Sequence, residues 1–145
     1  MTMNMGQAVM TLQAIDAILY EKGVERKFSF KLRYKLYRIK EALQDETKKY
    51  ESERITLIRE YGDKVKKEGH EEEILEVVDE EKLKAFYEKL EEVLSTEIEP
   101  QYTLLSEKEL DAIDDFEIEI NQPQMSALFE FVFEPIKGMQ DAKTK

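Results

Sequence analysis

The chain has 145 residues, with 33 acidic against 22 basic side chains and a formal net charge of −11 at pH 7. This length predicts one domain spanning 1–145. The acidity disfavours non-specific binding to nucleic acid or to anionic membranes. The absence of cysteine excludes disulfides, thiol catalysis and cysteine–metal sites. The apolar stretch at 8–20 contains Gln13 and Asp16 and lacks a basic start, so it predicts neither a signal peptide nor a membrane span.

The first predicted element is a helix over about 7–21, where apolar residues recur at helical spacing. Residues 1–6 are expected to be loose. Gly23 is expected to end the helix, and a short charged connector at 25–27 then leads to the next element.

The longest predicted element is a helix over about 28–62, which contains no proline or glycine before Gly62. Four aliphatic residues at spacings of four, three and four share one face of it: Leu32, Leu36, Ile39 and Leu43. Helix 1 should fold back on this half. The middle of the long helix offers only Tyr50 as a large apolar residue, which predicts a thin contact there.

A helical hairpin is predicted next. A β-branched segment at about 73–78 favours a strand, paired with 64–67 across a turn. A strongly amphipathic helix follows over about 80–95 and should pack antiparallel on the distal half of the long helix.

After the third helix the spacing of apolar residues is no longer helical, which predicts a small β or loop element over about 96–120. Ser106 and Glu109 form a capping box for a short helical turn inside it, and the alternation at 116–120 is typical of a half-buried strand. A terminal helix is predicted over about 122–134, ended by Pro135, and a flexible tail over 138–145. The fold class is therefore mainly α with a minor β part: a long helix, an antiparallel helical hairpin and a small β element.

No pattern in the chain indicates catalysis, and we expect no catalytic residue, no cofactor and no metal site. His70 is the only histidine and lies among glutamates, but consecutive residues do not converge on one ion, so a solvated charge run is favoured over a metal site. Without cysteine, a serine nucleophile would need His70 as its base, and no G-x-S-x-G turn occurs.

A basic stretch begins the long helix and is a candidate partner contact, represented by Lys31, Arg33, Lys35 and Arg38. Two interpretations compete. The stretch, interleaved with Tyr34 and Tyr37, could bind nucleic acid. The favoured interpretation is that it balances the acidic C-terminal half within the fold or in an oligomer.

The terminal helix is apolar nearly all round, which favours a place in the core. The alternative is a docking surface for a partner, with Leu128, Phe129, Phe131 and Phe133 as the candidate contact residues.

The order of four segments resembles a family of small bacteriophage proteins of unknown function, encoded among the late genes of tailed phages that infect Gram-positive bacteria. The similarity runs from about residue 12 to 134. Its carriers are FSFKLRYKLYRIKEAL at 28–43, YESERITLIREYGDK at 50–64, EEVLSTEIE at 91–99 and INQPQMSALFEFVFE at 120–134. The chain departs from the family in its charged central connector and in the aromatic weight of its last helix.

The resemblance implies a non-enzymatic phage structural or assembly protein that acts through protein–protein contacts in the bacterial host cytoplasm or in the virion. Its expected partner is a phage virion or assembly protein, with a homo-oligomer as a second expectation. No membrane partner is expected, and nucleic acid is disfavoured. The alternative function is an acidic phage-encoded inhibitor of a host defence or regulatory protein, acting by charge mimicry.

Overall fold

The computed structural model describes residues 1–65, 68–69, 72–114 and 116–135, and across these ranges the protein is mainly α with a minor β part. In chain order the elements are β1 Met3–Asn4, α1 Met5–Leu19, β2 Tyr20–Glu21, β3 Val24–Glu25, α2 Phe30–Tyr61, β4 Asp63–Val65, β5 Ile74–Glu76, α3 Glu80–Leu94, β6 Glu97–Ile98, α4 Glu107–Asp114 and α5 Gln122–Phe131. The expected tail at 138–145 and His70 lie outside the described residues.

The main core forms where α1 packs against the first half of α2 and against α5. The predicted stripe of α2 faces this core, and the fully buried side chains include Ile15, Ile18, Leu36, Ile39 and Leu43. An ion pair of 2.8 Å between Lys40 Nζ and Asp16 Oδ1 also links α2 to α1. Helix 1 therefore folds back on α2 as its apolar pattern predicted.

The chain start differs from the expected loose segment, because β1 pairs antiparallel with β6, with Met3 opposite Ile98. Met3 and Met5 are buried in the core. A capping box starts α1: the side chain of Asn4 accepts from the backbone N–H of Gln7, and the side chain of Gln7 accepts from the N–H of Asn4, both at 2.8 Å. The first helix therefore begins at Met5 rather than at residue 7.

The predicted charged connector after the first helix is in part a β-hairpin, in which β2 pairs antiparallel with β3. Lys22 and Gly23 form its turn with φ angles of 50° and 81°. Positive φ at both central residues suits the twist of a two-residue hairpin, and glycine adopts it without strain. Gly23 thus serves the hairpin turn, and the first helix has already ended at Leu19.

The distal half of α2 and α3 form the predicted helical hairpin. Strands β4 and β5 lie between them as an antiparallel ribbon with Lys64 opposite Leu75 and Val65 opposite Ile74. The pairing predicted for the segments 64–67 and 73–78 is thus confirmed for residues 64 and 65, and residues 66 and 67 lie outside the described residues. The backbone N–H of Met5 donates to the Thr96 carbonyl at 2.9 Å, so the end of α3 reaches the start of α1. Leu57 and Phe86 are the buried hydrophobic residues among the described part of this hairpin, and neither belongs to the main core.

Position 62, at the end of α2, requires glycine because a Cβ there would lie against the carbonyl oxygen of Ile58. The Gly62 N–H still donates to that carbonyl at 2.7 Å and closes the last turn of the helix.

Two expectations for the C-terminal part were wrong. Residues 116–120 alternate between half-buried and exposed, but they form no strand. Helix α5 ends at Phe131 rather than at 134, because Phe133 joins Leu105 in a parallel bridge. The backbone of Leu105 is satisfied on both sides, donating to the Val132 carbonyl and accepting from the Glu134 N–H, each at 2.8 Å.

Candidate functional site

A groove of about 550 Å³ runs along the outer side of α2, between that helix and the segment 101–103. We call it the α2 groove. Six charged or aromatic residues of its helical wall are suited to binding a partner. They lie three or four residues apart on one side of the helix: Lys31, Tyr34, Lys35, Arg38, Glu41 and Asp45. Leu32, Leu36 and Ile39 face the core from the other side of α2, so the side that carries the six groove residues faces solvent.

The opposite wall is fixed by Tyr102, whose hydroxyl donates to the carbonyl oxygen of Phe131 at 2.8 Å. Burial raises the pKa of this phenol, so it stays protonated and keeps donating. The bond ties the 101–103 segment to the end of α5. The groove therefore has a helix as one wall and an anchored loop as the other.

The charge of Lys35 is balanced within the protein by Glu109, with 2.8 Å between Lys35 Nζ and Glu109 Oε1. The same oxygen accepts from the backbone N–H and the hydroxyl of Ser106 at 3.0 and 2.9 Å, which confirms the predicted capping box of α4. Burial alone would raise the pKa of Glu109, but the hydrogen bonds from Lys35 and Ser106 outweigh it and the pKa is lowered. Lys35 and Glu109 thus hold α4 against α2 beside the groove.

The groove carries opposite charges at its two ends. Lys31 has no ion-pair partner in the described part of the chain, and Arg38 reaches only Glu41 at 3.9 Å. Asp45 pairs weakly with Lys48 at 3.6 Å, with both side chains largely exposed. The first half of the wall is therefore positive and the second half negative, and apart from Lys35, which Glu109 neutralises, these charges have at most weak ion-pair partners in the described part of the chain.

An aromatic pair stands at the positive end. The rings of Phe30 and Tyr34 stack at 6.1 Å between centroids, and the two residues are 74% and 54% exposed. Leaving two large rings in water forgoes the free energy of burying their apolar surface. The basic end of the groove is thus also its apolar end.

Three of the four predicted basic contact residues, Lys31, Lys35 and Arg38, line the groove, and Arg33 does not. Arg33 NH1 lies 2.7 Å from Glu25 Oε1, and the hydroxyl of Tyr37 donates to the other Glu25 oxygen at 2.6 Å. The Tyr37 and Arg33 hydrogen bonds lower the pKa of Glu25. These residues fasten the β2–β3 hairpin to α2, so neither Arg33 nor Tyr37 belongs to the groove.

The terminal-helix residues do not form the docking surface that was the alternative for them. Leu128, Phe131 and Phe133 are 2%, 5% and 3% exposed and lie in the main core. They are buried because α5 packs on α1 and because the Leu105 bridge draws Phe133 inward. Phe129 alone of the four is exposed, at 37%.

Sequence reasoning missed Phe30, Tyr102, Glu41 and Asp45 as site residues. Glu41 and Asp45 could have been found from their helical spacing to Lys31 and Arg38, which places all four on one side of α2. Tyr102 gave no such signal, since only the folded chain brings it opposite α2.

Comparisons of the chain with protein-family models, with curated proteins and with solved structures find no match.

Among the described residues, no group of three or more histidine, aspartate and glutamate side chains is placed to hold a metal ion. His70 and part of the acidic loop around it lie outside those residues. No helix in the described ranges combines the length and apolar character needed to cross a membrane.

Proposed function

We propose that the chain is a non-enzymatic bacteriophage protein that works by contact with other proteins, as a structural or assembly component of the phage particle. The observation that carries the proposal is the α2 groove, where exposed aromatic rings and charges of both signs share one face of a helix. The resemblance of four segments to late-gene proteins of tailed phages supplies the setting: synthesis in the bacterial host cytoplasm and, for a structural part, a place in the virion.

The composition of the groove supports a protein partner. Aromatic and arginine side chains are the residue types that most often dominate binding energy at protein interfaces. Tyr34 and Arg38 lie one helical turn apart in the groove wall and are both exposed. Burying an aromatic side chain removes about 150–250 Å² from water. At about 25 cal/mol per Å² of apolar surface, the Tyr34 and Phe30 rings together offer several kcal/mol to a partner that covers them.

The acidic end of the groove argues against nucleic acid as the occupant. Glu41 and Asp45 continue the same wall as Lys31 and Arg38. A phosphate backbone that followed the wall would meet repulsion after its first half, and the chain as a whole carries −11. A protein surface can present charges of both signs in the matching order.

The test is quantitative mass spectrometry of purified particles of the encoding phage. A structural part appears at a fixed copy number per particle. If the chain is absent from particles but abundant in infected cells, the structural proposal is wrong. The remaining candidates would then be an assembly protein that leaves the finished particle and an acidic inhibitor of a host protein, to be separated by pull-down. The inhibitor is supported by the net charge and would be recognised by binding that weakens steeply as salt rises from about 50 to 200 mM.

The groove itself is tested by complementing a phage that lacks the gene with a Tyr34→Ser chain. The matched control is Tyr87→Ser, because Tyr87 is a similarly exposed tyrosine on α3, outside the groove. We expect both variants to remain folded by circular dichroism, with only the Tyr34 variant depleted from particles. Equal incorporation of the two variants would show that the groove is not the contact surface.

A further inference from the structure

We propose that the α2 groove receives the α2 helix of a second copy of the chain in antiparallel orientation, giving a dimer with a two-fold axis beside Arg38. This inference deepens the proposed function, since it names a partner for the same groove. It rests on the order of residues along the groove wall.

When two copies of α2 lie antiparallel, the charges along the groove wall of one copy face opposite charges on the other. Lys31 and Asp45 each lie seven residues from Arg38, on opposite sides, and Lys35 and Glu41 each lie three residues from it. A two-fold axis beside Arg38 therefore places Lys31 opposite Asp45 of the second copy and Lys35 opposite Glu41. Each pairing occurs twice, as an isologous interface requires. A parallel arrangement would instead set lysine against lysine and acid against acid.

The same antiparallel register also matches a large side chain of one copy with a small side chain of the other. Tyr34 and Ala42 both line the groove, and each lies four residues from Arg38. The reversed copy thus sets the largest exposed side chain of the wall against the smallest. A tyrosine that fills the space above an alanine lets two helices approach to the usual 8–10 Å between axes.

The Lys31–Asp45 pairs should carry most of the specificity. Lys31 has no ion-pair partner among the described residues, and Asp45 has only its weak contact with Lys48 at 3.6 Å. Lys35 is already held by Glu109 at 2.8 Å, so it gains less from Glu41 of a second copy. Arg38 is the one charged residue of the wall that faces the same residue of the second copy. Glu41 of each copy lies 3.9 Å from its own Arg38 and offsets the repulsion between the two arginines.

Charge reversal on the full chain tests the register, with sedimentation velocity as the measurement. We expect the wild type to dimerise, and Lys31→Glu or Asp45→Lys to raise the dimer dissociation constant by roughly tenfold or more, because each reversal makes two pairs repulsive. An equimolar mixture of the two single variants should regain dimers, since every pair is then attractive again. The double variant K31E/D45K should regain them for the same reason.

Lys48→Glu is the matched control. It removes the Lys48–Asp45 contact and reverses a charge on the same helix, but Lys48 does not line the groove. The dissociation constant should stay within about twofold of the wild type, because exposed ion pairs contribute little.

Cross-linking gives a second readout, because the chain has no cysteine of its own. Arg38→Cys should form an interchain disulfide on mild oxidation, since the two copies of residue 38 meet at the axis. Lys31→Cys should not, since its two copies would be separated by fourteen residues of helix, about 21 Å, which a disulfide cannot bridge.

The inference is overturned if the wild type stays monomeric up to about 100 μM, if single reversals leave the dimer intact, or if mixing them restores nothing. A monomeric wild type that is still present in particles at fixed copy number would refute the dimer and leave the proposed function standing. A dimer with this register that is absent from particles would support the dimer and refute a structural role in the particle. Binding of nucleic acid or of an unrelated acidic protein by a monomeric wild type also counts against it.

Discussion

The ion pair between Lys35 and Glu109 should stabilise the fold measurably, because it joins α4 to α2 at the edge of the groove. The side chains are 29% and 14% exposed, and the Nζ–Oε1 distance is 2.8 Å. The perturbation is a double-mutant cycle of Lys35→Met, Glu109→Gln and the double variant. Methionine keeps most of the lysine stem, and glutamine keeps the shape of the carboxylate.

The magnitude follows from the geometry. Opposite unit charges 2.8 Å apart attract by about 6 kcal/mol at an effective dielectric constant of about 20, and loss of hydration offsets most of this. Hydrogen bonds to charged groups contribute about 1.5–3 kcal/mol net. Glu109 Oε2 is buried and has no hydrogen-bond partner, so an amide nitrogen there would also lack an acceptor. We expect each single variant to lose about 2 kcal/mol of unfolding free energy and the coupling to be about 1–2 kcal/mol.

The assay is urea denaturation of the four proteins at pH 7, followed by circular dichroism. An equivalent cycle on Lys48 and Asp45, whose side chains are 76% and 69% exposed, serves as the control and should give a coupling below about 0.5 kcal/mol. A Lys35–Glu109 coupling no larger than that of the control would refute the argument from burial and distance.

The pH dependence has a defined sign. The folded-state pKa of Glu109 is lowered from its ordinary value of 4.5, so the unfolded chain takes up a proton more readily. The stabilisation is therefore fully present above about pH 4.5 and is lost as the pH falls through the lower folded-state pKa. The difference in unfolding free energy between the wild type and Glu109→Gln should be equal at pH 7 and pH 6, and smaller at pH 3.5. A difference that persists unchanged at pH 3.5 would contradict the assignment of the stabilisation to the carboxylate.

Three further predictions concern stability, each measured by urea denaturation. Phe131→Ser should cost about 3–5 kcal/mol because the ring is in the core, whereas Phe129→Ser should cost only about 1–2 kcal/mol because that ring is 37% exposed; similar losses would contradict the assigned burial. Asn4→Ala should cost about 1 kcal/mol by removing the cap of α1, and no loss would mean that the cap is dispensable. Lys22→Asn should add about 0.5 kcal/mol because asparagine tolerates the φ of 50° better; a loss would show that the lysine is needed in the turn.

The elements predicted most accurately depend on residues close in sequence. The buried stripe of α2 follows from a helical period, and the capping box at Ser106 involves residues three apart. The β4–β5 ribbon pairs strands that lie close together in the chain. In each case the residues that form the pattern lie within about a dozen residues of one another, so a local pattern is enough to predict the element.

The candidate site was predicted only in part for the same reason. Helical spacing places Lys31, Lys35 and Arg38 near one another. It cannot show that Arg33 forms an ion pair with Glu25 and so does not belong to the groove. Nor can it place Tyr102 across the groove, since that contact joins segments far apart in the chain.

The sequence by itself determined a mainly helical chain, its long helix and the capping box at Ser106, because periodicity and capping act over one or two turns. Only the tertiary structure decided which apolar surfaces are covered. The pairing of Met3 with Ile98 orders a start that looked loose, and the Leu105–Phe133 bridge turns a candidate docking face into core. Each of these contacts joins segments distant in the chain, and burial is a property of the assembled surfaces rather than of any one segment.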